Sequence, residues 1–384
     1  MEWIKKFLDK QKENDLLRAL NTASHRQGGK IHINGKEYFD FSSNDYLGLS
    51  SHPKIIAAAR HATEKYGNSA SASRLLSGNL EINHVLEAKV AALKGKESAL
   101  IFNSGYQANS GIFKSLFSKE DAIFSDRHNH ASIIDGILLS GAQLFRFHHN
   151  DMGHLKMLLK KYRHKYRRAL VVTETIFSMD GDRPPLSEIV ELKNKFNCQL
   201  IVDEAHATGI FGKNGAGVAE DEGLTHEIDI IMGTFGKALG SFGAYVAASK
   251  TITDYLINTC RSFIYSTALP PAIIAANIAS LELLKEEPHR RKKLCEKSRL
   301  FHKYLESISL KTKGNSQIIP LIVGESKKAV ALSQQLEAAG FFVLPIRPPT
   351  VPQGQARLRF SLTFDHSEEI IEKLIKEVLQ SCLI

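Results

Sequence analysis

From about residue 50 to 280, short apolar runs alternate with longer stretches of helical character. The runs are Ala99-Leu100-Ile101-Phe102, Ala122-Ile123-Phe124, Leu170-Val171-Val172-Thr173, Leu200-Ile201-Val202 and Ile228-Asp229-Ile230-Ile231-Met232. Runs this short and this apolar suit strands covered on both faces, and the segments between them are long enough for crossover helices. The alternation predicts an α/β domain with a mainly parallel central sheet. In such sheets ligands gather beyond the carboxyl ends of the strands. The residues that follow each run are therefore the ones to read for chemistry.

Outside that region the pattern differs. Residues 2–20 carry Trp3, Phe7, Leu8, Leu16, Leu17 and Leu20 at spacings that predict an amphipathic helix. Asn34-Gly35 predicts a tight hairpin. After Pro270-Pro271 a helical stretch covers roughly 272–308, with a possible break at Pro288. A strand at 318–323, a helix near 326–339, strands at 341–346 and 357–363, and a final helix around Ile370–Leu379 complete a smaller α+β unit. The expected division is an arm at 1–48, a large domain at 49–280 and a small domain at 281–384.

A chain of 384 residues exceeds one ordinary core, and its 43% apolar and 24% charged residues are those of a globular protein. No apolar run reaches the roughly 18–20 residues that span a bilayer, and the start Met1-Glu2-Trp3-Ile4-Lys5-Lys6 lacks a signal-peptide core, so a cytoplasmic protein is expected, with no membrane partner. Cys198, Cys260, Cys295 and Cys382 form no Cys-x-x-Cys pair, and free thiols are expected. The net charge is +9. Basic stretches such as Lys160–Arg168 read as a solvated helix face, so nucleic acid is not the expected partner. A basic surface also suits a polyanionic substrate or an acidic carrier.

Asp203 closes the run Leu200-Ile201-Val202, and Lys237 follows 34 residues later in Gly233-Thr234-Phe235-Gly236-Lys237-Ala238-Leu239-Gly240. A carboxylate at a buried strand end and a lysine on a glycine-rich turn are what a pyridoxal phosphate enzyme needs. The amine bonds the cofactor aldehyde, and the carboxylate keeps the pyridine nitrogen protonated. Ser104-Gly105-Tyr106 follows another run and opens a helical segment, whose free N–H groups can hold a phosphate. Asp126-Arg127-His128-Asn129-His130 follows the next run. It has no ligand partner at helical spacing, so no metal is expected, and His130 reads as an imidazole stacked on the cofactor ring. Glu174 and Ser178 follow the run at 170–173 and are candidates for orienting cofactor or substrate. In Asp203-Glu204-Ala205-His206, Asp203 would face the ring nitrogen and His206 the phenolic oxygen. The same tetrapeptide also occurs in magnesium-dependent helicase-like NTPases. That reading requires an upstream phosphate loop, and no Gly-Lys in the chain is followed by Ser or Thr.

The ordered set Ser-Gly-Tyr, Asp-x-x-x-His, Glu-x-x-Phe-Ser-Met-Asp-Gly, Asp-Glu-Ala-His and Thr-Phe-Gly-Lys resembles the α-oxoamine synthases, pyridoxal phosphate enzymes of the aspartate aminotransferase fold type. The resemblance runs from Asn44-Asp45-Tyr46-Leu47-Gly48-Leu49 to Arg357-Leu358-Arg359. It implies a decarboxylating condensation of an amino acid with an acyl thioester, in a homodimer with shared active sites. It further implies that Lys237 bears the cofactor and moves the α-proton. Asp203 would pair with the pyridinium, His206 with the ring oxygen, and His130 would stack. Gly105, Tyr106 and Thr234 would contact the phosphate, and Ser266 and Thr267 the neighbouring subunit's phosphate. Ser178 is counted among the cofactor contacts and Asn44 among the substrate contacts. Ile346-Arg347-Pro348-Pro349-Thr350-Val351-Pro352 and Ser73-Arg74-Leu75-Leu76-Ser77-Gly78 resemble the branch that condenses L-alanine with pimeloyl-CoA, or pimeloyl-acyl carrier protein, in biotin synthesis. Siblings use glycine or serine with other thioesters. Within that branch Arg347 is expected at the alanine carboxylate, with Thr350 beside it. Arg18 is the candidate for the distal pimeloyl carboxylate. Ser69-Ala70-Ser71-Ala72 departs from the glycine-rich stretch of relatives, which leaves substrate identity less determined than the cofactor. A regulator that kept the fold and lost activity would be expected to append a DNA-binding domain, for which the chain has no length.

Overall fold

The computed structural model describes residues 1–307 and 310–382, the side chain of Cys382 excepted. The chain divides into two compact units, one of residues 49–178 and 183–291, the other of residues 1–48, 179–182 and 292–384.

The first unit is built on a seven-stranded sheet. In spatial order the strands are Ser98–Phe102, Ala244–Ala248, Ile230–Thr234, Gln199–Asp203, Ala169–Glu174, Ala122–Asp126 and Gln143–Phe147. The last five are parallel, as the alternation predicts. Ala244–Ala248 runs antiparallel to both its neighbours. Neither it nor Gln143–Phe147 stood out as an apolar run. The first is alanine-rich, and the second is an edge strand with Gln143 and Arg146 exposed. Helices cover the sheet, and Phe102, Ile112, Phe113, Ile133, Val172 and Ile201 belong to one buried cluster between them. Each such side chain stabilises the fold by roughly 1.5–3 kcal/mol relative to exposure.

A buried ion pair fixes the loop after Gln199–Asp203. Lys94 closes the helix Glu81–Lys94 and is almost wholly buried. Its Nζ donates to Glu204 Oε2 at 2.6 Å, to Thr208 Oγ1 at 2.9 Å and to the Ala216 carbonyl. Glu204 Oε1 accepts from the Ala219 amide at 2.9 Å. Gly217, at φ +124°, passes so close to the Glu204 carboxylate that no Cβ fits there. Burial disfavours the Lys94 charge, but the adjacent Glu204 carboxylate overcomes this and holds its pKa above the ordinary value.

The second unit contains two small sheets. Ala23–Gln27, Lys30–Ile33 and Lys36–Asp40 form an antiparallel ribbon, and Phe341–Phe342 adds to it in parallel. Asn34 and Gly35 both take positive φ, at +52° and +77°, and make the expected hairpin turn. The first 48 residues are thereby paired into a sheet with C-terminal residues instead of standing as a separate arm. Ile318–Gly324, Ala356–Ser361 and Pro345–Ile346 form the other sheet, so the stretch expected as one strand at 341–346 serves two sheets. The Leu344 amide donates to Ser42 Oγ at 2.9 Å where the chain crosses between them. Asp180, in an Asp-Gly turn, is buried against the guanidinium of Arg357 in this unit.

Two helical expectations need adjustment. The long stretch after Pro271 is two helices, Pro271–Glu286 and His289–Ser307, broken before Pro288 as the sequence suggests; residue 308 lies outside the described residues. The N-terminal helix spans only Glu2–Glu13, with no buried residue, and does not reach residue 20. Asn14 Nδ2 caps the Lys10 carbonyl at 2.7 Å, Asp15 turns to φ +54°, and the amides of Leu16 and Leu17 fold back to the Gln11 carbonyl. Short polar side chains that bond local backbone end helices in this way. Arg18 therefore lies beyond the helix. Among the described residues no helix is long and apolar enough to cross a membrane.

Lys94→Met should lower the unfolding free energy by about 3–5 kcal/mol, because it leaves Glu204 buried without a counter-charge. Adding Glu204→Gln should recover much of the loss in urea denaturation. Equal losses in the single and double variants would show that the pair does not govern this region.

Candidate active site

The four parallel strands that carry the candidate residues end on Asp126, Glu174, Asp203 and Thr234. Glu174 lies in register with Asp203, and Asp203 with Met232. Apolar runs that end on a polar residue thus bring their chemistry to one edge of the sheet.

Asp203 is buried, and both its carboxylate oxygens accept hydrogen bonds. Oδ1 takes the Ala205 amide at 2.9 Å, and Oδ2 takes Asn109 Nδ2 at 3.1 Å. His206, three residues on, stands with Nε2 2.7 Å from Lys237 Nζ. The lysine is half-buried in a turn closed by the Gly240 amide on the Lys237 carbonyl and the Ser241 amide on the Phe235 carbonyl, both at 2.9 Å. Thr234 braces the same turn. Its hydroxyl donates to the Gly243 carbonyl at 2.8 Å and accepts from the Gly236 amide at 3.1 Å.

His130 is the N-cap of the helix Ala131–Ser140, and its Nδ1 accepts from the Ser132 amide at 3.2 Å. The residue keeps exposed surface while its Nδ1 edge is packed. Desolvation there lowers its pKa, Asp203 opposes the shift, and the Lys237 charge adds to it. Gly105 and Tyr106 are the first two residues of the helix Gly105–Leu116, capped by Ser104. The Tyr106 hydroxyl donates to Asp135. Ser178 is half-buried in the turn after Ala169–Glu174. Ser266 Oγ accepts from Gln107 Nε2 at 2.6 Å, and the Thr267 carbonyl accepts from Asn103 Nδ2 at 2.9 Å. These two bonds tie the Ser266-Thr267 segment to the helix that Gly105 opens and to the residue before its cap.

The four substrate candidates all lie in the other unit. There Arg18 Nη2 donates to Thr350 Oγ1 at 3.0 Å, and Arg347 donates to the Asp15 carbonyl. The chain beyond the first helix and the Arg347–Thr350 segment therefore come together, which brings both arginines into one polar cluster. Asn44 Oδ1 accepts from the Tyr46 hydroxyl at 2.9 Å and from Arg359 Nη2 at 3.3 Å, so its side chain is engaged in a separate network.

Sequence reasoning missed Lys94, Asn109, Ser132 and Gln107. Each is polar in a helix of mostly apolar or small residues, and nothing in its local spacing marks it. In the first unit a carboxylate, an amine with a histidine, an open imidazole and a fresh helix start stand together. That donor set fits a planar aldehyde with a ring nitrogen, a ring hydroxyl and a phosphate.

Glu174 adds one further feature. It is buried, and its Oε1 has no hydrogen-bond partner. Burial raises its pKa well above the carboxylate range, the Asp203 charge raises it further, and Lys237 only partly opposes this. The folded chain thus keeps a proton that the unfolded chain releases near pH 4.3. Stability should fall above that pH, by up to about 1.4 kcal/mol per pH unit, until the folded value is passed. Glu174→Gln has no such proton, so its Tm relative to the parent should climb as the pH is raised above about 5. A constant difference would mean that Glu174 is ionised in the fold.

The family model for aminotransferase class I and II matches residues 36–378. The 8-amino-7-oxononanoate synthase of Geobacter sulfurreducens is 46% identical over 371 residues, covering 96% of this chain and 95% of that protein. Among solved structures, a serine palmitoyltransferase from S. paucimobilis with bound pyridoxal phosphate and myriocin superposes with a TM-score of 0.93 at 29% identity, over 98% of this chain and 96% of that one. An 8-amino-7-oxononanoate synthase from Francisella tularensis gives 0.79 at 32% identity, over 90% and 98%. The fold is that of the aspartate aminotransferase-type pyridoxal phosphate enzymes, and pyridoxal phosphate is the cofactor. With a matching model over most of its length and relatives aligned nearly end to end, this chain belongs to the aminotransferase class I and II family, in the α-oxoamine synthase branch of the 8-amino-7-oxononanoate synthases.

Proposed function

We propose that this chain joins L-alanine to a pimeloyl thioester, of coenzyme A or acyl carrier protein, with loss of CO2. The products are 8-amino-7-oxononanoate and the free carrier thiol, in the cytoplasm, as a step of biotin synthesis. The observation that carries the chemistry is the approach of Lys237 Nζ to His206 Nε2 at 2.7 Å, beside the loop that Asp203 begins. The near-full-length relatives named for this reaction support the substrate pair. Free thiols at Cys198, Cys260 and Cys295 suit a reducing compartment.

Pyridoxal phosphate supplies an aldehyde that bonds amines and a pyridinium ring that takes up the electron pair left when a bond to the α-carbon breaks. Lys237 holds the cofactor and moves the proton at the alanine α-carbon, a task that needs an amine able to lose its charge. The negative charge of Asp203 raises the proton affinity of the ring nitrogen. His206 serves the ring oxygen and shares a hydrogen bond with Lys237. His130 packs on the ring. The amides of Gly105 and Tyr106 receive the phosphate at a helix start, and Thr234 is assigned to it as well, its hydroxyl turning from the Gly243 carbonyl to donate. Ser178 lies among the cofactor contacts.

Arg347 is assigned to the alanine carboxylate, for which a guanidinium fork is well shaped, with Thr350 beside it. Arg18, already bonded to Thr350, is assigned to the distal carboxylate of the pimeloyl chain, and Asn44 to the substrate. Ser266 and Thr267 are assigned to the phosphate in the second subunit of a homodimer.

Purified protein supplied with pyridoxal phosphate, L-alanine and pimeloyl-CoA should release CO2 and free thiol, and should do so faster than with glycine and acetyl-CoA. Lys237→Ala should abolish turnover and the borohydride-reducible adduct. A faster rate with glycine and acetyl-CoA would overturn the substrate pair, and a reduced pyridoxyl group on another lysine would overturn the assignment of Lys237.

Mixing inactive Lys237→Ala with inactive Thr267→Ala should restore part of the activity, because one hybrid site keeps both residues. No recovery after confirmed subunit exchange would rule out shared sites.

A further inference from the structure

Asn109 lies on the first turns of the helix Gly105–Leu116 and is almost wholly buried. Its amide nitrogen carries two protons, and the structure gives it two acceptors. Asn109 Nδ2 donates to Asp203 Oδ2 at 3.1 Å and to Ser132 Oγ at 3.0 Å. Ser132 is equally buried, and its Oγ lies 2.8 Å from His130 Nδ1. The same Nδ1 already accepts the Ser132 backbone N–H at 3.2 Å. A nitrogen that accepts an amide proton carries none itself. The Ser132 hydroxyl, its oxygen occupied by Asn109, is then left to donate to Nδ1 as well. Every link has one polarity, from Asn109 outward to Asp203 on one side and through Ser132 to His130 on the other.

We infer that Asn109 and Ser132 are positioning residues that hold His130 as a neutral imidazole with its proton on Nε2, and that the same amide ties this state to the side chain of Asp203. This rests on the reading that His130 packs on the cofactor ring and Asp203 faces the ring nitrogen. The reason for such a device is electrostatic. The charged groups acting on His130 are Asp203 from its strand end, Lys237 from its turn, and Asp135 on its own helix, itself bonded to Tyr106; Glu174, beside Asp203, is held toward the neutral acid. A cationic imidazole would be attracted to the two carboxylates and would compete with a protonated pyridine for Asp203. Protonating Nδ1 would break the bond from the Ser132 amide and leave the Ser132 hydroxyl proton without its acceptor. With Nδ1 committed, His130 has only Nε2–H to offer to a substrate.

The test is the protonation of His130 in the cofactor-loaded enzyme, read by 15N NMR of histidine-labelled protein without substrate and assigned by loss of the signal in His130→Asn. Near pH 7 the parent should show a neutral ring protonated at Nε2. Ser132→Ala removes a donor to the neutral form, so the His130 titration should move up by about half to one pH unit, the size of one hydrogen bond. The acid limb of kcat/KM should move with it, and kcat should fall about threefold to tenfold with the KM for L-alanine changed less than about twofold. Ser132→Thr keeps the hydroxyl and should restore the parent titration. A parent ring protonated at Nδ1 or on both nitrogens would overturn the inference without any variant. So would a Ser132→Ala titration that does not move, or a Ser132→Thr shift as large as that of alanine, which would mean packing alone. Because the NMR reading needs no substrate, a wrong substrate pair would leave it intact.

Discussion

In-register parallel pairing of Ala169–Glu174, Gln199–Asp203 and Ile230–Thr234 is the constraint on which the site depends. Strand residues alternate between the two faces, so a slip of one residue would exchange faces along a whole strand and misplace its terminal residue. Because the interiors of these strands are apolar on both faces, a slip is opposed chiefly at their ends, where it would draw Glu174 or Asp203 into the apolar layer. Asp203 then begins its loop at a fixed height beside Glu174, and the turn bearing Lys237 starts two residues past the partner of Asp203. The catalytic spacing is therefore inherited from the hydrogen-bond ladder, and the loops need only finish it.

The loop after Asp203 is finished by a second constraint, the burial of Lys94 against Glu204. An ion pair taken out of water adds little net stability, since desolvation offsets most of the attraction. It does penalise every arrangement in which either partner is unpaired. Thr208 and the Ala216 carbonyl share the same amine, so the segment from 204 to 216 has one low-energy arrangement. His206 sits inside that segment, and its approach to Lys237 follows.

The electrostatics of the site separate groups that would be alike in water. Asp203 accepts two hydrogen bonds at its carboxylate. Glu174, its neighbour on the next strand, is pushed toward the neutral acid by burial and by the Asp203 charge. Two carboxyl groups side by side in a closed site divide in this way because both cannot ionise cheaply. In the other unit the charges are arranged differently. Arg18 and Arg347 are exposed or half-buried and bond an uncharged hydroxyl and a carbonyl, so their own charges are not neutralised by those partners.

The sequence by itself determined the α/β class, the strand-end positions of Asp203 and Glu174, and the lysine turn, while the strand before that turn runs two residues further than its apolar run, to Thr234. These are local facts: apolar runs fix strands, strand ends fix where polar residues emerge, and glycines fix the turn around Lys237. The Asn34-Gly35 hairpin and the break before Pro288 were legible for the same reason. The antiparallel strand Ala244–Ala248 was not, because alanines carry weak strand preference and gain their place by filling a gap between two formed neighbours. The end of the first helix at Glu13 was misread because apolar spacing continued past Asn14-Asp15, while the Asn14 side chain bonded local backbone and Asp15 turned to positive φ. Only the tertiary structure decided which polar side chains are buried together. Lys94 and Glu204 are far apart in the chain, as are Asn109, Ser132 and Asp203, and no period or motif links them. A buried polar group must find a partner, but the chain's fold decides which partner is within reach.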